Sequence, residues 1–152
     1  MVRQAYEAGV NYYDVAPTYG DAQQRLSPAL EPFRKNVFLA CKTAERSRQG
    51  SEKELNESLR LLRTDYLDLY QLHALTSKED LDKAFGPDGA METFLKAKKE
   101  GKVRYLGFSA HSVEAALAAM APVVLMQGIG DPALRELAAQ VQESMKRVVA
   151  NL

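Results

Sequence analysis

Three short apolar stretches of the sequence each end in an ionisable side chain, and a tyrosine follows the first of them. Asp14, Lys42 and His73 occupy these ends, and Tyr19 lies in the Ala-Pro-Thr-Tyr-Gly segment after Asp14. A carboxylate keeps a neighbouring ammonium charged, and a positive charge beside a phenol lowers the phenol's pKa from about 10 towards neutrality. Such a phenol can act as a general acid, and a nearby imidazole can hydrogen-bond a carbonyl oxygen. Together the four residues predict a site that donates a proton to a developing alkoxide.

Each of these residues taken alone also has a purely structural explanation. An aspartate at a strand end often caps the next helix, a loop tyrosine often packs against its neighbours, and a strand-end lysine usually reaches into water. A single histidine is usually a hydrogen-bonded core residue. The catalytic interpretation therefore requires that the three strands lie side by side.

The order of the predicted elements supports such a sheet, because short β-branched or aromatic stretches alternate with segments of helical period. The predicted strands are residues 10–15, 36–43, 66–73 and 103–109, with a shorter fifth strand at 123–126. Parallel strands place their reactive loops at their carboxyl ends, which is where the candidate residues lie. The βα pattern alone is also compatible with a doubly wound sheet.

Helices are predicted between and after these strands. They are residues 2–8, ending at Gly9; 22–30, interrupted by Pro28; a helix from Ser51; 91–100, ending at Gly101; and 113–120, ended by Pro122. Ser51 and Glu54 match a capping box at the start of a helix. An apolar stripe follows in the same helix, formed by Leu55, Leu59 and Leu62.

Two further segments complete the prediction. Residues 76–88 are predicted to form a polar loop, and a long helix is predicted from Asp131 towards Asn151. Gly128 and Gly130 precede that helix, and we interpret them as an entry turn rather than a phosphate site, because Asp131 would repel a phosphate.

The composition is that of an ordinary globular domain. The 152 residues are 46% hydrophobic and 26% charged, with 20 basic and 20 acidic side chains, and this balance points away from nucleic acid and from membrane surfaces. We expect a cytoplasmic protein, since the N-terminus lacks the apolar segment of a signal peptide. The single cysteine, Cys41, cannot form an internal disulfide, and no Cys/His cluster has the spacing of a metal site.

Four motifs, in the same order, resemble those of the aldo-keto reductase family. Residues 9–20 (Gly-Val-Asn-Tyr-Tyr-Asp-Val-Ala-Pro-Thr-Tyr-Gly) resemble the family signature, and residues 37–43 (Val-Phe-Leu-Ala-Cys-Lys-Thr) resemble its lysine strand. Residues 59–73 are similar to its histidine segment, and residues 101–109 (Gly-Lys-Val-Arg-Tyr-Leu-Gly-Phe-Ser) to the strand that meets the nicotinamide. The resemblance covers residues 2–120 and leaves 121–152 as a divergent tail.

The resemblance implies an NADPH-dependent oxidoreductase that reduces the carbonyl of a small molecule to an alcohol. Tyr19 would be the proton donor, Lys42 and Asp14 would tune it, and His73 would position the carbonyl. Ser109 would contact the nicotinamide carboxamide, although the next position is Ala110 where the family often has Asn. The following residue, His111, could replace that contact or simply begin the next helix.

The resemblance also implies one domain, 1–152, with the fold of a partial (β/α)8 TIM barrel: four to five parallel βα units and a C-terminal helix. Family barrels have eight strands and usually ~250 residues or more, so we expect a truncated barrel. An open sheet would leave Phe38, Leu69 and Tyr105 uncovered, which predicts self-association. Two function classes remain: a carbonyl reductase, and a catalytically silent fragment or scaffold. We expect the chain alone to show little or no NADPH-dependent reduction.

Overall fold

The computed structural model describes residues 1–127 and residues 132, 133, 136, 139, 140 and 143. Four parallel strands form one sheet in chain order: β1 (Tyr12–Asp14), β2 (Phe38–Thr43), β3 (Leu67–Leu75) and β4 (Val103–Ala110). The four main predicted strands are therefore confirmed. The strand order never reverses, whereas a doubly wound sheet has a reversal at its switch point. The described sheet is thus four successive βα units of a barrel.

Helices follow or connect these strands. They are α1 (Val2–Glu7), α2 (Ala22–Leu30) with a 3-10 helix (Glu31–Asn36) directly after it, α3 (Arg48–Leu62), α4 (Lys78–Phe85), α5 (Ala90–Lys99) and α6 (Val113–Gln127). Gly9 and Gly101 follow α1 and α5 with φ angles of 92° and 75°. This left-handed conformation carries little steric cost for glycine, and it ends both helices as predicted.

The helices cover one face of the sheet. Because side chains alternate between the two faces, every second residue of a strand points towards the helices. Leu39, Tyr70, Leu72 and Leu106 are buried on this face. The ring of Tyr70 packs against Phe94 of α5, with the ring centroids 4.7 Å apart. Full burial of each large apolar side chain contributes about 1.5–3 kcal/mol, so this layer is the main source of stability.

The other face of the sheet, which would line the interior of a barrel, carries a row of aromatic rings. Tyr12 of β1 stacks on Phe38 of β2 at 5.1 Å, and Phe38 stacks on Tyr105 of β4 at 6.2 Å. Tyr12 is 49% exposed and Tyr105 is 48% exposed. The described helices thus cover one side of the sheet and leave the other open, and we refer to these three residues as the aromatic row.

The capping box predicted at Ser51 and Glu54 is wrong. The helix begins one turn earlier, because the Ser47 hydroxyl accepts a hydrogen bond from the Gly50 amide and caps α3. Ser51 lies inside the helix and donates to the Arg48 carbonyl. The Glu54 carboxylate instead accepts a hydrogen bond from the hydroxyl of Thr43, at the end of β2. The apolar stripe that follows is buried as predicted.

The loop predicted at residues 76–88 contains a helix, α4. The Ser77 hydroxyl accepts a hydrogen bond from the Asp80 amide, which is the contact expected of an N-cap. Leu81 and Ala84 face the core and are buried. Two buried apolar residues are too few to give a polar segment a recognisable helical period in the sequence. Tertiary packing therefore decides the conformation of this segment.

The fifth strand predicted at 123–126 is also wrong, because α6 continues through Pro122 to Gln127. A proline inside a helix deprives the carbonyl four residues earlier of its partner. That carbonyl belongs to Ala118, an exposed residue, so water can replace the missing donor. The predicted turn at Gly128–Gly130 lies outside the described residues, as does most of the helix predicted from Asp131. The described residues of that segment are helical.

Across the part of the chain that the structure describes, none of the helices combines the length and the apolar character needed to span a bilayer.

Candidate active site

β1 and β2 end side by side, and an ion pair joins Asp14, the last residue of β1, to Lys42, the penultimate residue of β2. The Lys42 ammonium donates to Oδ1 of Asp14 over 2.5 Å. The register places Asp14 opposite Ala40, so Lys42 lies two residues further along β2 and its side chain reaches back. Only 5% of the Lys42 side chain is exposed, against 39% for Asp14. The sheet thus holds a buried positive charge at its carboxyl edge, with one carboxylate as its counter-ion.

Tyr19 lies over this ion pair in the turn after β1. The Tyr19 amide donates to the Ala16 carbonyl, and Gly20 completes the turn with a φ of 60°. The centre of the phenol ring is 5.0 Å from the Lys42 nitrogen, so the ring faces the ammonium. At 48% exposed, Tyr19 is also open to solvent on its other side. The Tyr19 phenol thus lies beside the positive charge of Lys42.

His73 approaches the same place from β3. Its imidazole meets the Tyr19 ring edge-on, with centroids 5.8 Å apart and an angle of 80° between the planes. The structure therefore brings together the four residues that the sequence singled out: Asp14, Tyr19, Lys42 and His73. They come from three neighbouring strands and the loop after the first.

The site holds the imidazole in its neutral form. Partial burial lowers the pKa of His73 below its ordinary value, and the positive charge of Lys42 lowers the same pKa further. His111 and Arg46 act in the same direction, whereas Asp14 opposes them. Since the ordinary value is about 6.5, the ring is neutral at pH 7 and can be a hydrogen-bond donor through one nitrogen only.

Ser109 is the fifth predicted site residue, and it lies on β4 beside His73. Its hydroxyl oxygen is 3.1 Å from Nδ1 of His73 and accepts a hydrogen bond from the Ala74 amide at 2.9 Å. The neighbouring His111 is exposed, and its backbone amide donates to the Leu75 carbonyl. The Ser109 side chain thus contacts the site directly, whereas the described contact of His111 is made by its backbone.

Arg46 belongs to the site although the sequence pattern did not single it out. One guanidinium nitrogen, Nη2, donates to the His73 carbonyl at 2.7 Å, and Nη1 donates to the Ala44 carbonyl. Arg46 therefore ties the loop after β2 to the end of β3. An arginine in a charged loop has no sequence signal that distinguishes it, since the His73 carbonyl and the Asp80 carboxylate that it contacts lie far along the chain.

Gln71 is a second residue that the sequence analysis missed. It is 9% exposed, and its side-chain nitrogen has no hydrogen-bond partner among the described residues. Gln71 lies between Lys42 on β2 and Gly107 on β4 in the sheet register. A Cβ at Gly107 would lie 3.2 Å from Cγ of Gln71, so the glycine makes room for the amide. A buried donor without a partner is costly, so Gln71 is a candidate residue for holding a bound group.

Comparison of the sequence with protein families gives a match over most of the chain. The model of the aldo/keto reductase family matches residues 1–149. The uncharacterized oxidoreductase YqkF of Bacillus subtilis strain 168 is 34% identical over 123 residues, which are 72% of this chain and 38% of that protein.

Solved structures agree with the sequence matches. The holo form of the aldo-keto reductase AKR11C1 from Bacillus halodurans has a TM-score of 0.67 and 29% identity, over 80% of this chain and 43% of that one. An aldo/keto reductase from Klebsiella pneumoniae, solved with NADP and acetate, has a TM-score of 0.66 and 27% identity, over 82% and 42%. The chain thus spans about two fifths of the length of these relatives.

Proposed function

This chain belongs to the aldo-keto reductase family, and on that premise we propose that it reduces the carbonyl group of a small molecule to an alcohol, with Tyr19 as the proton donor and NADPH as the reductant. The observation that carries the proposal is the convergence of Lys42 on both Asp14 and Tyr19, with His73 at the edge of the same ring. A cytoplasmic location is part of the same proposal.

The residues of this site can divide the reaction between them. The Tyr19 hydroxyl donates its proton to the carbonyl oxygen as negative charge develops there. The Lys42 ammonium stabilises the phenolate that remains, and Asp14 balances the ammonium charge before and after the transfer. Because Tyr19 is half exposed, solvent can return the proton. His73 donates a hydrogen bond to the same carbonyl oxygen and orients it.

The residues at the open face also fit one end of the cofactor. When bound, NADPH supplies the hydride that reduces the carbonyl carbon. The Ser109 oxygen has two lone pairs, and the Ala74 amide uses one of them, so the other can accept from a carboxamide N–H. The unpartnered nitrogen of Gln71 can donate to a carboxamide oxygen. Ser109 and Gln71 would therefore hold the nicotinamide carboxamide.

We expect the chain alone to be a slow catalyst. A general acid contributes typically ~10²–10⁴-fold, whereas holding two reactants in register supplies effective molarities of up to about 10⁵–10⁸ M. The second factor depends on how firmly the nucleotide is held. The described residues offer contacts for its nicotinamide end, and the chain spans about two fifths of the length of its relatives.

A catalytically silent scaffold is the second candidate. The observation in its favour is the open face of the sheet, where Tyr12 and Tyr105 are about half exposed. Exposed apolar faces of this kind favour association with another protein surface, and a second copy of the chain is the partner that we propose.

The experiment that separates the two candidates follows NADPH consumption with a reactive aromatic aldehyde. Tyr19→Phe removes the proposed acid, and Tyr105→Phe is a matched control, because each tyrosine is 48% exposed. A rate above background that Tyr19→Phe abolishes and Tyr105→Phe preserves supports the reductase. Equal rates in the three proteins, together with no change in NADPH fluorescence on mixing, support the scaffold.

A further inference from the structure

We propose that Ser109 is a positioning residue that fixes the ring tautomer and the direction of His73, so that Nε2–H is the hydrogen-bond donor of the site. The proposal rests on the function proposed above for His73. It adds a task for Ser109 that is separate from any contact with a nucleotide.

The starting point is an irregularity in the pairing of β3 with β4. Leu72 pairs with Phe108, but the next pair is Leu75 with Ala110. Two residues of β3, His73 and Ala74, therefore face the single residue Ser109 of β4, which is the pattern of a β-bulge. A bulge bends its strand and changes the direction of the side chains in it. The direction of the His73 imidazole thus depends on what holds the bulge in place.

The backbone of the bulge is in a costly conformation. Ala74 has a φ of 53°, in the left-handed region that residues other than glycine rarely occupy. Such a conformation persists only when its surroundings determine it. The contacts around Ala74 must therefore compensate for the cost.

Two side chains supply these contacts, and both bind the same peptide group. The peptide bond between His73 and Ala74 carries the His73 carbonyl and the Ala74 amide. Arg46 donates to that carbonyl at 2.7 Å, and the Ser109 hydroxyl accepts from that amide at 2.9 Å. The peptide group is held on one side by the loop after β2 and on the other by β4. Its plane, and with it the exit of the His73 side chain, is thereby fixed.

The same hydroxyl also decides the tautomer. An amide can only donate, so the Ala74 amide occupies a lone pair of the Ser109 oxygen. The Ser109 proton is then left for a second partner, and Nδ1 of His73 lies 3.1 Å away. In the proposed arrangement the Ser109 proton is directed at Nδ1, which accepts the hydrogen bond and is unprotonated in the neutral ring. The ring proton is on Nε2, the nitrogen on the opposite side of the ring from Ser109.

The tautomer decides whether the ring donates a hydrogen bond to a carbonyl oxygen or repels it. A ring with Nε2–H donates to a carbonyl oxygen, whereas the other tautomer would present a lone pair there and repel the oxygen. Ser109 selects the first arrangement without touching the substrate.

Nitrogen NMR of the ring tests the proposal without nucleotide or substrate, so its outcome is independent of whether the chain is a reductase. The chain has two histidines, His73 and His111, and a His111→Asn variant assigns their ring nitrogens. At a pH where the rings are neutral, we expect Nδ1 of His73 to resonate as an unprotonated nitrogen and Nε2 as a protonated one. The opposite assignment in the unmodified chain would overturn the proposal, and this result needs no variant at residue 109.

Variants then assign the effect to the hydroxyl. Ser109→Ala should move the two resonances towards each other, to the tautomer mixture of a free imidazole, whereas Ser109→Thr, which keeps a hydroxyl, should leave them in place. Ser112→Ala is the control, because the Ser112 hydroxyl accepts a hydrogen bond from the Ala115 amide at the start of α6 and is not a partner of His73. Unchanged resonances in a folded Ser109→Ala protein would also overturn the proposal.

Discussion

The Lys42 ammonium and the Asp14 carboxylate are 2.5 Å apart, but they are buried to very different extents. The lysine side chain is 5% exposed and the aspartate side chain is 39% exposed. Without its partner, the aspartate can be hydrated, whereas the ammonium has little access to water. The two halves of this ion pair should therefore have unequal effects on stability.

Asp14→Asn should lower the free energy of unfolding by about 1–3 kcal/mol, because it leaves a buried cation without its counter-ion. Lys42→Met should cost less, since it removes the buried charge and leaves a half-exposed carboxylate. Urea unfolding of both variants measures the difference. If Lys42→Met proves the more destabilising of the two, the ammonium does not depend on Asp14 in the way the geometry indicates.

The pKa of His73 should rise when the charge of Lys42 is removed. Burial and Lys42 both lower this pKa, so Lys42→Met should bring it closer to the ordinary value of about 6.5. A proton NMR titration of the imidazole measures the shift. Lys35→Met, on an exposed lysine, is the control and should change nothing. An unshifted titration in Lys42→Met would mean that the ammonium does not act on the ring.

The lowered pKa of His73 also predicts how the folding stability changes with pH. The unfolded chain protonates this histidine at about pH 6.5 and the folded chain only at a lower pH. The unfolded state therefore binds more protons between those two values, and the contribution of His73 to folding stability falls as the pH decreases through that window. Comparing the free energy of unfolding of the unmodified chain with that of His73→Gln across pH 7 to 5 isolates this contribution. A difference that stays constant with pH would contradict the shift.

Asp68→Asn should be strongly destabilising. The Asp68 carboxylate is 2% exposed at the start of β3 and lies between Arg34 at 3.0 Å and Arg104 at 2.7 Å. It also accepts a hydrogen bond from the Leu39 amide. Loss of one member of a buried ion pair costs about 3–5 kcal/mol. Thermal unfolding measures the effect, with Glu57→Gln as the control.

The control breaks an ion pair of a different kind. Glu57 and Arg60 are on the surface of α3, with half or more of each side chain exposed, and such pairs contribute little. A similar loss of stability in both variants would show that burial is not what gives the Asp68 pair its importance.

The chain should self-associate through the aromatic row defined above. The row lies on the face that the described helices leave open, and the four described strands cannot close a barrel around it. Tyr105→Lys should weaken association, because it places a charge in the aromatic row. Gln24→Lys adds the same charge at an exposed position on α2 and should have no effect. Sedimentation over a range of concentrations measures both, and a compact monomer in every case would contradict the proposal.

Much of this molecule could be predicted from local sequence signals. The alternation of β-branched strands with helical segments predicted four parallel strands, and strand ends marked the positions of Asp14, Lys42 and His73. The spacing of apolar residues and the position of a residue at a strand end depend on a few consecutive residues. Both can therefore be predicted without the tertiary structure. Helix limits were predicted less well: Ser51 was predicted to cap α3, whereas Ser47 caps it in the structure.

The tertiary structure decided everything that depends on two distant partners. Arg46 reaches the His73 carbonyl across 27 positions of the chain, and Ser109 reaches the imidazole across 36. Neither contact leaves a periodic trace in the sequence, because an arginine or serine in a polar segment looks the same with or without a partner. The sequence by itself determined which side chains stand at the carboxyl edge of the sheet. Only the packing of β2, β3 and β4 determined how the imidazole among them is turned and which of its nitrogens accepts a hydrogen bond.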